Sequence, residues 1–335
     1  MGNLSYAKQP PPVVFVQTVE HADGNPYSKT NTVSILDLHE WSACSKEFQK
    51  RGFKVIRFTA EEIADLEYRR KSLMSIHTPV VGSRLTIKTC LRHLSVLSES
   101  ESLPELRDYP VALRSFLKRR VKETTFEEVK ELYDSVPNFK AFIKPRGSEY
   151  VKMWTGCVIN SKDDLWKLTN VEDNTPVYVS EPVTFLAEYR CYVICGSLKA
   201  VSCYVGDEKK APIDLKIVYT AIRRLEGKGR QLRNSLINMR EAPRAYAIDF
   251  GVAKYIDENG EESHHTILVE VNDGYSLGLY PGCSVKIYTD VLLERWYELV
   301  GLKRSPRTFN KRNSCAGQYG NEYDDSSRTC HGEYK

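Results

Sequence analysis

The segment HTILVEVND (265–273) ends an apolar, β-branched run with polar residues. Side chains alternate along a strand, so Glu270 and Asn272 project from one face and can share a ligand. Asp249 follows the apolar run AYAI, and antiparallel pairing of the two segments would bring it opposite this pair. Two carboxylates and an amide oxygen suit Mg²⁺ or Mn²⁺, which bind through one or two carboxylates plus substrate phosphates. The alternative is an exposed strand end followed by an ordinary Asn-Asp-Gly turn.

A second group of candidate residues is cationic. Lys144 follows the apolar AFI and precedes a proline, and Lys152 lies farther along the same loop. This loop also contains small residues, namely Gly147, Ser148 and Gly156. Two lysines among small residues could bind α- and β-phosphates, although a lone loop lysine is far more often solvated. No GxxxxGK[ST] motif is present, which excludes a P-loop.

A third group lies at the junction of two predicted strands. Glu181 ends one strand, and Glu188 and Arg190 begin the next. The apolar tract between them can line an adenine slot, with the backbone of Glu181, Pro182 and Val183 reading the purine edge. Glu188 and Arg190 share one face of their strand. That geometry fits a structural salt bridge as readily as a γ-phosphate clamp.

Composition bounds the kinds of protein that could carry these groups. The chain has 335 residues, 41% of them hydrophobic, which allows two domains, or one large domain with an appended subdomain, around a sizeable core. Lys+Arg 48 nearly balances Asp+Glu 44, so the formal charge of +4 does not argue for nucleic acid. Basic residues do cluster at 223–240, where binding of RNA or an acidic peptide is a minor alternative to a solvated loop.

The cysteines and the apolar runs indicate a compartment. Nine cysteines occur without a CxxC pair or a His/Cys cluster, which argues against a zinc site and against a disulfide framework. No apolar run reaches the length of a membrane span, and the N-terminus lacks the apolar core of a signal peptide. We therefore expect a cytoplasmic protein.

The elements that must position these groups can be predicted from periodicity. Strand 13–19, a helix with a stop at Gly52 and a strand within 39–59, and a strand, glycine turn and helix within 78–97 predict a small parallel-sheet α/β domain at 12–105. The later elements are predicted as a helix capped at Thr124 or Thr125, two strands in 141–159, a helix at 162–169, three antiparallel strands in 176–205, a long hairpin ending at 273 and a helix at 284–301. Residues 1–11 and 303–335 have the composition of disordered segments.

Taken in chain order, these motifs resemble the ATP-grasp superfamily. The set is Lys144-Pro, Lys152 with Gly156, Glu181, Glu188-x-Arg190, Asp249 and Glu270-x-Asn272, supported by the segments EYRCYV and IDF. The chain looks closest to the R-to-K clade, and more distantly like the cell-division-cycle proteins that assemble a eukaryotic translation initiation factor. The likeness spans roughly residues 78–300. It implies an α+β / α/β fold, with a pre-ATP-grasp domain at 12–105 and an ATP-grasp domain at 106–302 whose two subdomains grip ATP.

The resemblance also implies a role for each matching residue. It places Lys144 at the α- and β-phosphates and Lys152 in a lid over them. The adenine hinge would be formed by Glu181 with Pro182 and Val183, and Glu188 would contact the ribose. Arg190 would face the γ-phosphate or an acyl-phosphate, and the Mg²⁺ ligands would be Asp249, Glu270 and Asn272. The first lysine of many ATP-grasp enzymes is not evident, and Arg119 (or Arg120) is a possible substitute. Pro182 also stands where some relatives carry lysine.

The activity that the resemblance implies is ligation. A substrate carboxylate would attack the γ-phosphate of ATP, and an amine or similar nucleophile would displace phosphate from the acyl-phosphate, with no covalent protein nucleophile. The rival hypothesis is an ATP-binding chaperone or assembly factor that does not ligate. The substrates, small molecules or a peptide, and the oligomeric state are not readable from the sequence, and no membrane partner is expected.

Overall fold

A computed structural model describes residues 11–18, 35–104, 106, 108–147, 154, 156–227, 242–256, 259–275 and 277–302. In these residues the strands form three sheets, a parallel one near the N-terminus and two antiparallel ones. The predicted combination of a small parallel sheet with a larger α+β part is confirmed.

The first sheet is built from parallel strands in the order β2-β1-β3. Its elements are β1 (Val13–Gln17), α1 (Ile35–Lys50), β2 (Lys54–Phe58), α2 (Ala60–Ala64), α3 (Leu66–Lys71), β3 (Val80–Val81) and α4 (Arg84–His93). Parallel neighbours require crossovers that place helices beside the sheet, and β1 is accordingly apolar along residues 13–16. Gly52 follows α1 with φ of +83°, a left-handed conformation that glycine adopts without strain. The predicted stop at this residue is confirmed.

The second sheet is antiparallel, in the order β4-β7-β5-β6. Its elements are β4 (Val121–Thr125), α5 (Phe126–Ser135), β5 (Ala141–Pro145), β6 (Cys157–Ile159), α6 (Lys162–Trp166) and β7 (Pro176–Ser180). Thr125 is the N-cap of helix α5, because its hydroxyl accepts a hydrogen bond from the backbone N–H of Glu128. The predicted cap is confirmed. Strand β4, VKETT, was not predicted. Its polar residues give no strand periodicity, and its pairing with β7 defines it.

The third sheet is antiparallel, in the order β11-β10-β8-β9. It consists of β8 (Phe185–Ile194), β9 (Ser197–Gly206), β10 (Ala245–Ile256) and β11 (Glu262–Asp273), flanked by a short 3-10 helix (Val111–Phe116), α7 (Leu215–Leu225) and α8 (Val285–Leu299). One part of the sequence-based prediction is wrong. The strands within 176–205 do not form one antiparallel set, because β7 pairs with β4 and β5 while β8 pairs with β9 and β10.

The first sheet shares its hydrophobic core with the third. Buried Phe15 and Trp41 belong to the same cluster as Tyr192 on β8 and Trp296 on α8. The second sheet has a separate small core around Val129 and other apolar residues of α5, β5, β6 and β7. The third sheet therefore packs against the first, while the second sheet keeps a core of its own.

Two compositional expectations can be examined in the described part of the chain. Its seven cysteines are all free thiols. None of its helices combines the length and the apolarity needed to cross a membrane.

Candidate functional site

Strand register brings the three predicted metal ligands together. Asp249 on β10 lies directly opposite Glu270 on β11, and Ala247 lies opposite Asn272. Directly opposed residues of an antiparallel pair project from the same face. A register irregularity follows Asp249, where the β10–β11 pairing shifts by one residue. Shifts of this kind often re-aim side chains next to functional sites.

The amide of Asn272 joins the two carboxylates. Its Nδ2 donates to Asp249 Oδ2 at 3.0 Å and to Glu270 Oε1 at 3.2 Å. The three groups therefore converge, but through the nitrogen of the amide. A cation held by all three would require the amide to rotate about its terminal bond and present its oxygen.

Arg190 forms the innermost ion pair of the cluster. Its Nε lies 2.9 Å from Asp249 Oδ1, and its Nη2 lies 2.7 Å from Asp249 Oδ2, which is a bidentate arrangement. The side chains are only 9% and 1% exposed. Burial raises the pKa of Asp249 above its ordinary value even though Arg190 opposes the shift. The salt bridge considered between Arg190 and Glu188 does not form, because the register places Arg190 opposite Asp249 and Glu188 opposite Gly251.

Lys144 connects the second sheet to this cluster. Its Nζ lies 2.6 Å from Glu270 Oε2, 2.7 Å from Asp108 Oδ2 and 4.8 Å from the ring centroid of Tyr109. Burial would lower the pKa of this amine, but the carboxylates outweigh it and the pKa is raised. Burial would likewise raise the pKa of Glu270, but Lys144 and Asn272 bring it below its ordinary value. The ammonium group thus remains charged between two sheets.

The charges of the cluster do not balance. Its carboxylates belong to Asp108, Glu188, Asp249 and Glu270, and its directly paired cations are Lys144 and Arg190. With all groups ionised, two negative charges remain in excess. Burial is the main reason that the pKa values of Asp108, Glu188 and Asp249 are raised, and neighbouring carboxylates add to each shift. A divalent cation would neutralise this excess.

The donor set fits a weakly chelated hard cation. The described residues hold no group of three or more His, Cys, Asp or Glu side chains placed to bind a metal. Two carboxylates and one amide are nevertheless sufficient for Mg²⁺, which keeps several waters and takes other ligands from phosphates. These residues therefore suit a metal that arrives with a phosphate ligand, and they do not form an all-protein metal cage.

A pocket lies at the junction that was predicted to hold a base. It has a volume of about 490 Å³ and is lined by Lys118, Arg119, Arg120, Glu181, Pro182, Val183 and Tyr255. The backbone N–H of Arg120 donates to Glu181 Oε2 at 2.6 Å, which connects the segment before β4 to the residue after β7. Arg119 donates to the carbonyls of Leu268 and Val269 on β11. Arg119 thus lies beside the predicted hinge residues.

Several residues of the site were not predicted. Asp108 and Tyr109 lie in the connection that precedes the second sheet, and the backbone of Asp108 accepts a hydrogen bond from Val271. The hydroxyl of Tyr204 donates to Glu188 Oε2 at 2.9 Å, and the ring of Tyr280 stacks on Tyr204. No short-range motif marks these residues, because all are brought in by long-range contacts. Lys152, which was predicted to cover the phosphates, lies outside the described residues.

Comparison with known proteins places this geometry in context. Residues 116–291 match the family model of the ATP-grasp domain, R-to-K clade, family 2. No curated protein sequence matches the chain. Among solved structures, D-alanine–D-alanine ligase from Bacillus anthracis complexed with ATP is 14% identical with a TM-score of 0.50, and the match covers 86% of this chain and 98% of that one. At this identity the likeness shows the fold alone.

Two further structures are more remote. N5-carboxyaminoimidazole synthetase from Staphylococcus aureus is 11% identical with a TM-score of 0.44, over 87% of this chain and 78% of that one. ATP-grasp ligase PsnB complexed with minimal precursor is 12% identical with a TM-score of 0.40, over 85% of this chain and 100% of that one. The family match covers more than half of the chain and includes every residue of the polar cluster except Asp108. This protein belongs to the ATP-grasp superfamily, in family 2 of the R-to-K clade.

Proposed function

We propose that this protein is an ATP- and Mg²⁺-dependent ligase that joins a carboxylate to an amine or similar nucleophile and releases ADP and phosphate. The carrying observation is the continuous polar chain Arg190, Asp249, Asn272, Glu270 and Lys144, buried at Arg190 and Asp249 and partly exposed at Glu270, which runs from the third sheet to the second. Family membership supports ATP as the phosphoryl donor. No residue needs to act as a covalent nucleophile.

The pocket beside Glu181 is the proposed adenine site. The backbone of Glu181, Pro182 and Val183 would read the purine edge, and apolar side chains would cover its faces. Glu188 would bind the ribose, for which it must share its carboxylate with the Tyr204 hydroxyl. Arg119 would serve in place of the first lysine. It is already held by two β11 carbonyls, so it offers a preset positive charge.

The phosphates would lie over the charged cluster. Lys144 would bind the α- and β-phosphates by exchanging a carboxylate partner for phosphate oxygens, and Lys152 would cover them. Asp249, Glu270 and Asn272 would hold Mg²⁺ or Mn²⁺, which supplies charge neutralisation to the phosphates when bound. Positioning in a water-poor cleft supplies most of the acceleration in phosphoryl transfer.

Arg190 is the residue proposed to meet the transferred group. Asp249 occupies its Nε and Nη2, while its Nη1 hydrogen-bonds to no described residue. That nitrogen can bind an oxygen of the γ-phosphate or of the acyl-phosphate. Because Asp249 fixes the guanidinium beforehand, little reorganisation is required as charge develops. The free thiols of the described part fit the cytoplasmic location that we propose.

The test is product analysis. Wild-type protein is incubated with ATP, Mg²⁺ and a metabolite extract, and the mixture is analysed by mass spectrometry beside a matched sample containing excess EDTA. We expect ADP, phosphate and a new species whose mass is the sum of two metabolites minus water, all absent from the EDTA sample. An assembly factor would bind ATP with Mg²⁺ and release no ADP with a ligated product, and that outcome would refute the ligase.

A further inference from the structure

Two aromatic rings lie close to the Arg190 guanidinium, in addition to its carboxylate partner. The Cζ of Arg190 lies 4.8 Å from the ring centroid of Tyr280 and 6.0 Å from that of Tyr204. The two rings stack, with centroids 4.7 Å apart and planes inclined by 15°. Both distances to the arginine are within the range of cation–π attraction. Asp249 therefore fixes one edge of the guanidinium, and Tyr280 restrains its orientation.

Tyr280 belongs to a connection, residues 277–283, that is anchored along its length. The Tyr192 hydroxyl donates to the carbonyl of Gly278 at 2.8 Å and accepts from the backbone N–H of Tyr280 at 3.1 Å. The Tyr288 hydroxyl donates to the carbonyl of Leu277 at 2.6 Å. A connection held at successive backbone groups presents its side chains in one place.

Glu40, on helix α1 of the first sheet, supplies a further anchor. Its Oε1 accepts from the backbone N–H of Leu279 at 2.7 Å, and its Oε2 lies 3.2 Å from the Tyr288 hydroxyl. Glu40 is itself only 8% exposed. A buried carboxylate that accepts from a loop amide is costly to remove, because the amide is then left unpaired. Glu40 thus joins the first sheet to the connection that carries Tyr280.

We propose that Tyr280 is a positioning residue for Arg190, and that Glu40 holds Tyr280 in place from the first sheet. This inference rests on the proposed function, in which the Nη1 of Arg190 binds the γ-phosphate. A guanidinium held by Asp249 alone can still tilt about that pair. The ring of Tyr280 restricts the tilt, so Nη1 is aimed at one point before the nucleotide binds. Misplacement of a reacting contact by about 1 Å can cost about 100-fold in rate, which is why such support matters.

Loss of Tyr280 should weaken only the contact with the γ-phosphate. If Tyr280 acts only through Arg190, its loss weakens binding of ATP and leaves binding of ADP unchanged, since ADP has no γ-phosphate. A purely structural role would weaken both nucleotides together or neither. The ratio of the two dissociation constants therefore separates positioning from general damage.

The experiment is calorimetric titration of the whole chain with ATP and with ADP, each with Mg²⁺. For Tyr280→Leu we expect the ATP/ADP affinity ratio to fall about 3- to 30-fold, the range of a desolvated cation–π contact. Tyr280→Phe keeps the ring and should retain the wild-type ratio. Arg190→Met is the reference variant. It removes the guanidinium and should abolish the preference for ATP over ADP. Melting temperatures report whether each variant is folded.

A second pair of variants tests Glu40 independently. Glu40→Leu removes the acceptor for the Leu279 amide and should lower the ATP/ADP affinity ratio as Tyr280→Leu does. Glu40→Gln keeps an acceptor oxygen and should retain the wild-type ratio. If Arg190→Met loses discrimination but Tyr280→Leu does not, the inference is wrong and the proposed function stands. If wild type binds no ATP, or Arg190→Met leaves the ratio unchanged, both the inference and the assignment of Arg190 fail.

Discussion

The two ion-pair groups of the polar cluster differ in how they are built. Arg190 and Asp249 lie opposite each other in one sheet and are almost sealed from solvent, at 9% and 1% exposure. Lys144, Glu270 and Asp108 come from β5, β11 and an irregular connection, and their side chains are 12%, 30% and 29% exposed. The first group is set by strand register alone. The second depends on how separate elements pack, and it remains open to a ligand.

The difference in exposure indicates that the first group also supports the fold, whereas the second can exchange its partners for a ligand. Leaving one charge of a buried pair uncompensated costs about 3–5 kcal/mol, whereas a pair near the surface contributes about 1 kcal/mol or less. A ligand cannot easily displace the partner of a sealed arginine. It can replace one carboxylate around Lys144, because that amine has two. We therefore expect the first group to support stability as well as the site, and the second group to serve nucleotide binding with little effect on stability.

The largest effect is expected for Asp249→Asn. It leaves the buried Arg190 charge without its carboxylate, so the free energy of unfolding should fall by about 3 kcal/mol, and ATP turnover should be lost with the metal ligand. Urea unfolding and ADP release measure the two effects. Asp207→Asn, at an exposed site, is the matched control and should change neither. A loss of under about 1 kcal/mol would show that the sealed pair does not support the fold.

Glu270→Gln should separate turnover from stability. Lys144 keeps Asp108 as a partner and the amide keeps an acceptor oxygen, so the free energy of unfolding should fall by only about 1 kcal/mol. Turnover should fall about 100-fold or more, because a charged group at the reacting phosphates is gone. Unfolding and ADP-release assays run beside Asp249→Asn make the comparison. Equal destabilisation by the two variants would remove the distinction drawn between the two groups.

The smallest effect concerns Asp108 and pH. Burial, together with Glu270, raises the pKa of Asp108 above its ordinary value of 3.8 although Lys144 opposes the shift. The folded state then holds its proton to higher pH than the unfolded state does. The contribution of Asp108 to stability is therefore present below 3.8 and is lost as pH rises from there toward the raised pKa.

Asp108→Asn removes this contribution. Across that pH window, the free energy of unfolding of wild type should fall relative to that of the variant as pH rises. Urea unfolding at a series of pH values measures the difference, with Asp207→Asn as the control. A difference that is constant with pH would mean that Asp108 does not titrate in the folded protein as described.

Much of the third sheet was predictable from the sequence. The apolar runs in 245–249 and 265–273 predict two strands, and the short turn between them predicts a hairpin, so the opposition of Asp249 and Glu270 follows from local pattern. The partner of Arg190 was not predictable in this way. Glu188 lies two residues away on the same strand, yet the opposing strand supplies Asp249 as the closer carboxylate.

Every strand except β4, the helix cap at Thr124 or Thr125 and the stop at Gly52 could be predicted from sequence alone, because each depends on residues close together in the chain. Tertiary structure decided that β7 pairs with β4 and β5, that Asp108 shares Lys144 with Glu270, and that Tyr280 lies on Arg190. The physical reason is that local periodicity reports which face of an element is buried. It does not report which distant element covers that face, since this depends on the packing of the whole core.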